Sequence, residues 1–254
     1  MNYLIELIRR SKTFFLYVLL AMMFALGVFA ESNGLIEEFK DAYEDWIYLL
    51  RQNVYIVFAS STTASVLGIA AGILMTRLWF KRYAEAFSQS FNILSAVPTL
   101  AILAIIMTLT GLGFKSAFIG LVTVTILPVV RNTYQGINEV PEHMIEAARG
   151  QGMTDQQILW KVRVPNALYV ISAGIRTGFA LNVGTSPLIT LIAADSLGEF
   201  IFTGIQLNEF NSLLIGSFSV AAMAILTDFI LSKLQFFLLP KGINPQRFAQ
   251  EQLS

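Results

Sequence analysis

Arg176 and Asp228 sit where charge is expensive: each interrupts a long apolar run, Arg176 as the one base inside such runs and Asp228 as the one acid. Ionisable groups at membrane depth face a partner or a watered cavity. The long Arg176 side chain can reach the depth of Asp228, so the pattern predicts an ion pair tying two spans together. The alternative is that each side chain snorkels to the interface separately. Gly184-Thr185-Ser186 faintly resembles a hydrolase signature, but Pro187 and Leu188 leave both glycine patterns incomplete. No histidine lies in an apolar run to serve as base. His143 is the sole histidine and there is no cysteine, which excludes multi-histidine and thiolate metal sites, thiol catalysis and disulfides. Gly-x-x-x-x-Gly-Lys-Ser/Thr is absent, and Gly113-Phe114-Lys115-Ser116 lacks a loop to cradle phosphate. The expectation is a non-catalytic chain with no metal or cofactor of its own.

The elements that position these residues are membrane helices. The chain has 254 residues, 55% hydrophobic and 13% charged, with mean hydropathy +0.64. Soluble domains carry about 25% charged residues. Net charge is zero, which removes any bulk argument for nucleic acid. The expected fold is an all-α membrane protein of six spans: 13–30, 52–76, 86 to about Thr110, 116–130, 166–194 and 211–231. Val28-Phe29-Ala30 also fits a signal-peptidase site, but the run exceeds a signal h-region, so a retained first helix is expected. Residues 31–51 are acidic, with Leu35, Phe39, Tyr43, Trp46, Ile47 and Leu50 at helical spacing. They read as an amphipathic helix on the outer membrane surface, or as a plain linker. Lys and Arg collect in residues 1–12, 77–85 and 131–165 and in the tail, leaving Lys40, Arg51 and Lys115 between. By the positive-inside rule both termini and the 139–165 loop are cytoplasmic. The domain reading is 1–52 as first helix plus acidic segment, 53–235 as core, and 236–254 as a cytoplasmic tail.

The 139–165 loop is the longest polar interval after residue 85, and it reads as two short helices. Pro141 suits a first helical turn, with Glu142 and Glu146 at the positive N-terminal end. Gly150 and Gly152 break that helix. Thr154 caps the next, with Gln157 completing a capping box. Ile158, Leu159 and Val162 form an apolar stripe, and Pro165 is expected to end the helix.

Glu146-Ala147-Ala148, then Gly152, Val162 and Pro165, resembles the EAA loop of ABC importer permeases, with Val162 and Val164 in place of the usual Ile and Leu. In that family the loop docks on the ATP-hydrolysing subunit. The resemblance implies a coupling role for Glu146, Ala147, Ala148, Gly152, Met153, Thr154, Val162 and Pro165. Leu127 to Ile137, Val164-Pro-Asn-Ala167 and Ala173-Gly-Ile-Arg-Thr177 resemble the MetI-like permeases for glycine betaine, carnitine and choline. Asn92 to Ala101 does so more loosely. Where that family shows Gly-Ala-Gly-Gly-Leu-Gly, this chain has Ala193-Ala-Asp195-Ser-Leu-Gly198, which stiffens and acidifies the outer mouth.

The resemblance implies an osmoprotectant importer of the bacterial inner membrane. Its partners would be separate ATPase subunits holding ATP and Mg, a second copy or sister permease, an extracytoplasmic binding protein and membrane lipid. Pro98, Thr99, Gly184 and Asp195 become candidates for the gate and pathway. Two rivals remain open: the same architecture serving an amino acid or other small solute, and a stand-alone secondary carrier or channel.

Overall fold

The computed structural model describes residues 34–77 and 96–240. The expected span 13–30, the loop beyond Arg77, the first part of the 86–114 run and most of the tail lie outside the described residues. The described residues are helical: α1 (Leu35–Asp41), α2 (Tyr43–Met75), α3 (Thr99–Thr110), α4 (Phe114–Asn138), α5 (Glu142–Gly150), α6 (Asp155–Ile158), α7 (Val164–Thr185), α8 (Gly198–Leu207) and α9 (Phe210–Leu238). A π-helical stretch, Leu159–Arg163, joins α6 to α7, and a 3-10 stretch, Ser186–Ile192, follows α7.

Among the described residues three helices, α2, α4 and α9, are long and apolar enough to cross a membrane. Helix α7 has 22 residues, but Asn166, Ser172, Arg176 and Asn182 dilute it. Helix α3 has 12, about 18 Å of rise, which is short of a bilayer core by itself. Helix α9 keeps Ile225, Leu226 and Phe229 exposed at 58–70%. An apolar face of that extent points to lipid or to another protein surface.

The bundle is built on α4, which packs against both α2 and α7, while α9 packs against α7 and α8. Glycines permit the close approach. A Cβ at Gly68 would lie 2.8 Å from Val129 and one at Gly72 2.6 Å from Thr133, so α2 presses on α4. A Cβ at Gly174 would lie 2.6 Å from Asn132, so α7 does the same. These small residues serve packing within one chain. One apolar core joins Ile56, Val57, Leu103, Leu121, Val183 and Ile189, and a second joins Ile137, Leu159, Ala167 and Ile171 near the 139–165 loop.

Two expectations about boundaries fail. The acidic segment is not a separate surface helix up to residue 51: the one interruption is at Ala42, and α2 then runs 33 residues into the apolar span. No proline intervenes between Tyr43 and Met75 to stop it, and its two glycines, Gly68 and Gly72, sit against α4. Its first turns pack on the rest of the chain, where Trp46 Nε1 donates to Ser219 Oγ at 2.7 Å. The 166–194 span is likewise not one α-helix. It tightens to 3-10 at Ser186, with Pro187 in its first turn, and ends at Ala193 in the left-handed region with φ 61°.

Candidate functional site

The 139–165 loop folds as a hairpin of α5 and α6 at one end of the bundle. Pro141 is the N-cap of α5, with ψ 133°, which keeps the proline just outside the helix. Ile145 and Ala148 point inward and pack with Ile158, Met153 and Val162. Gly152 turns the chain at φ 77°, a left-handed conformation that costs an L side chain about 1 kcal/mol or more. Its N–H donates to the Arg149 carbonyl at 2.9 Å, and the Met153 N–H to the Ala148 carbonyl at 3.1 Å. Thr154 then caps α6: Gln157 N–H donates to its Oγ1 at 3.3 Å, and Thr154 N–H donates to Gln157 Oε1 at 2.9 Å. A reciprocal cap of this kind satisfies two otherwise orphaned donors at the start of the second helix. Opposite the apolar seam, Glu142, His143, Met144, Glu146, Ala147 and Trp160 are exposed. The hairpin therefore has its own small core and presents a mixed polar and apolar outer face.

Pro165 does not end the second helix. The chain stays helical from Asp155 to Thr185, and Pro165 occupies the first turn of α7. A proline within an α-helix lacks the N–H donor and crowds the carbonyl four residues earlier. The π stretch accommodates it: Val164 N–H reaches back five residues to the Leu159 carbonyl. The hairpin is thus joined to α7 by helical backbone with no loop between.

Farther along α7, Arg176 meets Asp228 of α9 in a two-point fork, Nε to Oδ1 at 2.5 Å and Nη2 to Oδ2 at 2.6 Å. The side chains stay 34% and 46% exposed in the single chain. Gln235 Nε2 adds a bond to Ser172 Oγ at 3.0 Å on the same pair of helices.

The four pathway candidates lie on three different elements. Pro98 is the N-cap of α3 and Thr99 its first residue, so Pro98 starts a helix and does not kink one. Gly184 lies at the end of α7, and a Cβ there would meet nothing within 4 Å. Asp195 follows the 3-10 stretch and accepts a 2.6 Å bond from the Tyr48 hydroxyl. That bond ties α2 to the 193–198 turn.

Sequence reasoning missed a neutral polar ladder inside the bundle. Asn182, fully buried, donates through Nδ2 to Ser60 Oγ at 2.8 Å and to Ser61 Oγ at 2.7 Å. One turn on, Ser186 Oγ accepts from Asn53 Nδ2 at 3.1 Å and donates to the Val183 carbonyl at 2.9 Å. These bonds pin α7 and its 3-10 extension to α2, and they occupy the serine hydroxyl of the hydrolase-like triplet. The available signal was asparagine and serine at helical spacing in otherwise apolar runs: 53 with 60, and 182 with 186. No group of His, Cys, Asp and Glu suited to a metal ion occurs among the described residues.

Known proteins share both the sequence pattern and this architecture. Residues 64–241 match the family described as binding-protein-dependent transport system inner membrane component. The chain is 42% identical over 213 residues to the osmoprotectant import permease protein OsmY of Salmonella typhimurium, covering 84% of this chain and 90% of that one. It is 38% identical to the carnitine transport permease protein OpuCB of Listeria monocytogenes, covering 74% and 87%. It is 32% identical to the glycine betaine/carnitine/choline transport system permease protein OpuCB of Bacillus subtilis, covering 78% and 90%. A chain of the MetNI methionine ABC transporter, solved in inward facing conformations, shares the fold with TM-score 0.65 at 20% identity, covering 74% and 94%.

Proposed function

The chain belongs to the inner membrane components of binding-protein-dependent transport systems, and from that membership we propose that it is the permease subunit of an ATP-driven importer of quaternary-amine osmolytes. The relatives named for osmoprotectant, carnitine and glycine betaine/carnitine/choline transport support the substrate class. The observation that carries the mechanism is the hairpin: a self-packed pair of helices, exposed on its outer face, continuous through the π stretch with α7.

In this reading the chain crosses the membrane six times with both termini in the cytoplasm. An ATPase subunit, which holds the ATP and Mg, grips the outer face of α5 and α6. A second permease copy or sister chain completes the pathway, and an extracytoplasmic binding protein delivers the osmolyte. The permease performs no bond chemistry. Closure of the ATPases displaces the hairpin, and helical backbone carries that displacement into α7. The Arg176–Asp228 fork passes it to α9, and the Asn182 and Asn53 bonds pass it to α2. Rigid elements sharing two arrangements produce alternating access in this way.

Reconstitution tests the proposal. The chain, its ATPase and its binding protein in proteoliposomes should import labelled choline, carnitine or glycine betaine when ATP is supplied on the ATPase side. Uptake of an amino acid in their place would move the substrate class to the rival reading. Uptake by the chain alone, without ATPase, would replace the importer with a carrier.

A further inference from the structure

A cavity of about 750 Å³ lies between the hairpin and the ends of α2 and α4 that adjoin it. Three arginines line it from three different elements. Arg77 follows the cap of α2, Arg149 is in the last turn of α5, and Arg163 closes the π stretch. Arg163 Nε is buried without a partner. Arg149 stands 3.9 Å from Glu142 and 3.8 Å from Asp155, beyond hydrogen-bond reach. Tyr134 and Asn138 of α4 line the same cavity. A buried guanidinium N–H with no acceptor is costly, and a matching acceptor for guanidinium forks is a phosphate oxygen.

We infer that this cavity binds a phosphate group, carried either by an anionic phospholipid or by a soluble phosphate. Its depth fits the lipid source. The apolar helices α2 and α4 both end at it, which sets the cavity at the level of the membrane surface. Basic pockets between membrane helices at that level hold anionic head groups. Among the described residues Glu139 and Asp155 also line the cavity, and Glu142 lies 3.9 Å from Arg149, so the three arginines face carboxylates as well as the cavity. An anion held there is lost as salt screens the attraction. A phosphate held by Arg77, Arg149 and Arg163 together would staple the hairpin to α2 and α7.

The site rests on the cavity itself, and on the membrane reading only for the lipid source, so it is tested without an ATPase. Native mass spectrometry of the full chain in detergent would compare retention of phosphatidylglycerol and phosphatidylcholine, with inorganic phosphate as competitor. Preferential retention of phosphatidylglycerol is expected, falling about tenfold for each guanidinium removed in the double variant Arg77→Gln with Arg163→Gln. The conservative Arg163→Lys should keep part of it, and raising NaCl from about 50 mM to about 500 mM should weaken it. Displacement of the lipid by inorganic phosphate assigns the soluble source; retention against it assigns the lipid. The proposal is overturned if neither probe binds, or if the double glutamine variant, still helical by circular dichroism, retains the lipid unchanged. Should that variant fail to fold, Arg149→Gln on the exposed hairpin carries the same comparison. Failure of the chain to copurify with an ATPase would sink the importer reading and leave this result standing.

Discussion

A methyl group at Gly198 would meet the Pro187 carbonyl oxygen at 2.0 Å and its carbonyl carbon at 2.7 Å. Backbone on both sides cannot yield as a side-chain tip can. Gly198→Ala should therefore lower stability by about 1–3 kcal/mol, read as a fall in the melting temperature of the purified chain. Gly184→Ala makes the contrast, because nothing lies within 4 Å of its Cβ position. That variant should melt where the parent does or slightly higher. The Arg176–Asp228 fork sets two opposing effects against each other. Its geometry is bidentate, yet each side chain stays a third to a half exposed in the single chain. A coupling energy on the order of 1 kcal/mol is expected from a double-mutant cycle of Arg176→Gln and Asp228→Asn. Strictly additive losses would mean that each charge serves separately at the interface.

The π stretch turns a sequence expectation about Pro165 into its opposite. The hairpin is legible in the sequence because its determinants are local: the cap runs only from Thr154 to Gln157, and Gly152 marks its own left-handed turn. The proline reads as a terminator because the rule that helices stop there assumes α-helical registry. A single π turn changes the registry by one residue, and no local propensity records that. The polar ladder is hidden for another reason: Asn182 and Ser61 lie 121 positions apart and carry no charge to draw notice. Restoring the missing donor tests the π stretch. Pro165→Ala lets residues 159–163 relax toward an α-helix, and one residue of registry is about 100° of rotation. The hairpin would then face a different direction relative to α7. The expected outcome is a folded complex, with stability within about 1 kcal/mol of the parent, that hydrolyses ATP with several-fold less uptake per ATP. An unchanged uptake-to-hydrolysis ratio would show that the π turn has no part in coupling.

At the scale of the whole molecule, the proposed coupling depends on which side of the membrane the hairpin faces. The positive-inside reading puts it in the cytoplasm, because Arg149, Lys161 and Arg163 cluster there while Lys115, at the opposite end of α4, is isolated. Helix α4 supports an assignment by opposition. It is an apolar helix of 25 residues, about 37 Å of rise and enough to cross the bilayer core, with the α3–α4 turn at one end and the hairpin beyond the other. Labelling one end therefore fixes the other. The chain is well suited to the measurement because it contains no cysteine, so a single introduced thiol is the only reactive site. His143→Cys places a thiol on the exposed face of the hairpin, and Leu112→Cys places one in the α3–α4 turn, where the residue is 69% exposed. In intact cells a membrane-impermeant maleimide should label Leu112→Cys and spare His143→Cys, and in inverted membrane vesicles the pattern should reverse. Labelling of His143→Cys from outside would put the hairpin beyond the reach of any cytoplasmic ATPase and end the coupling mechanism, while the helical fold and its internal packing would stand.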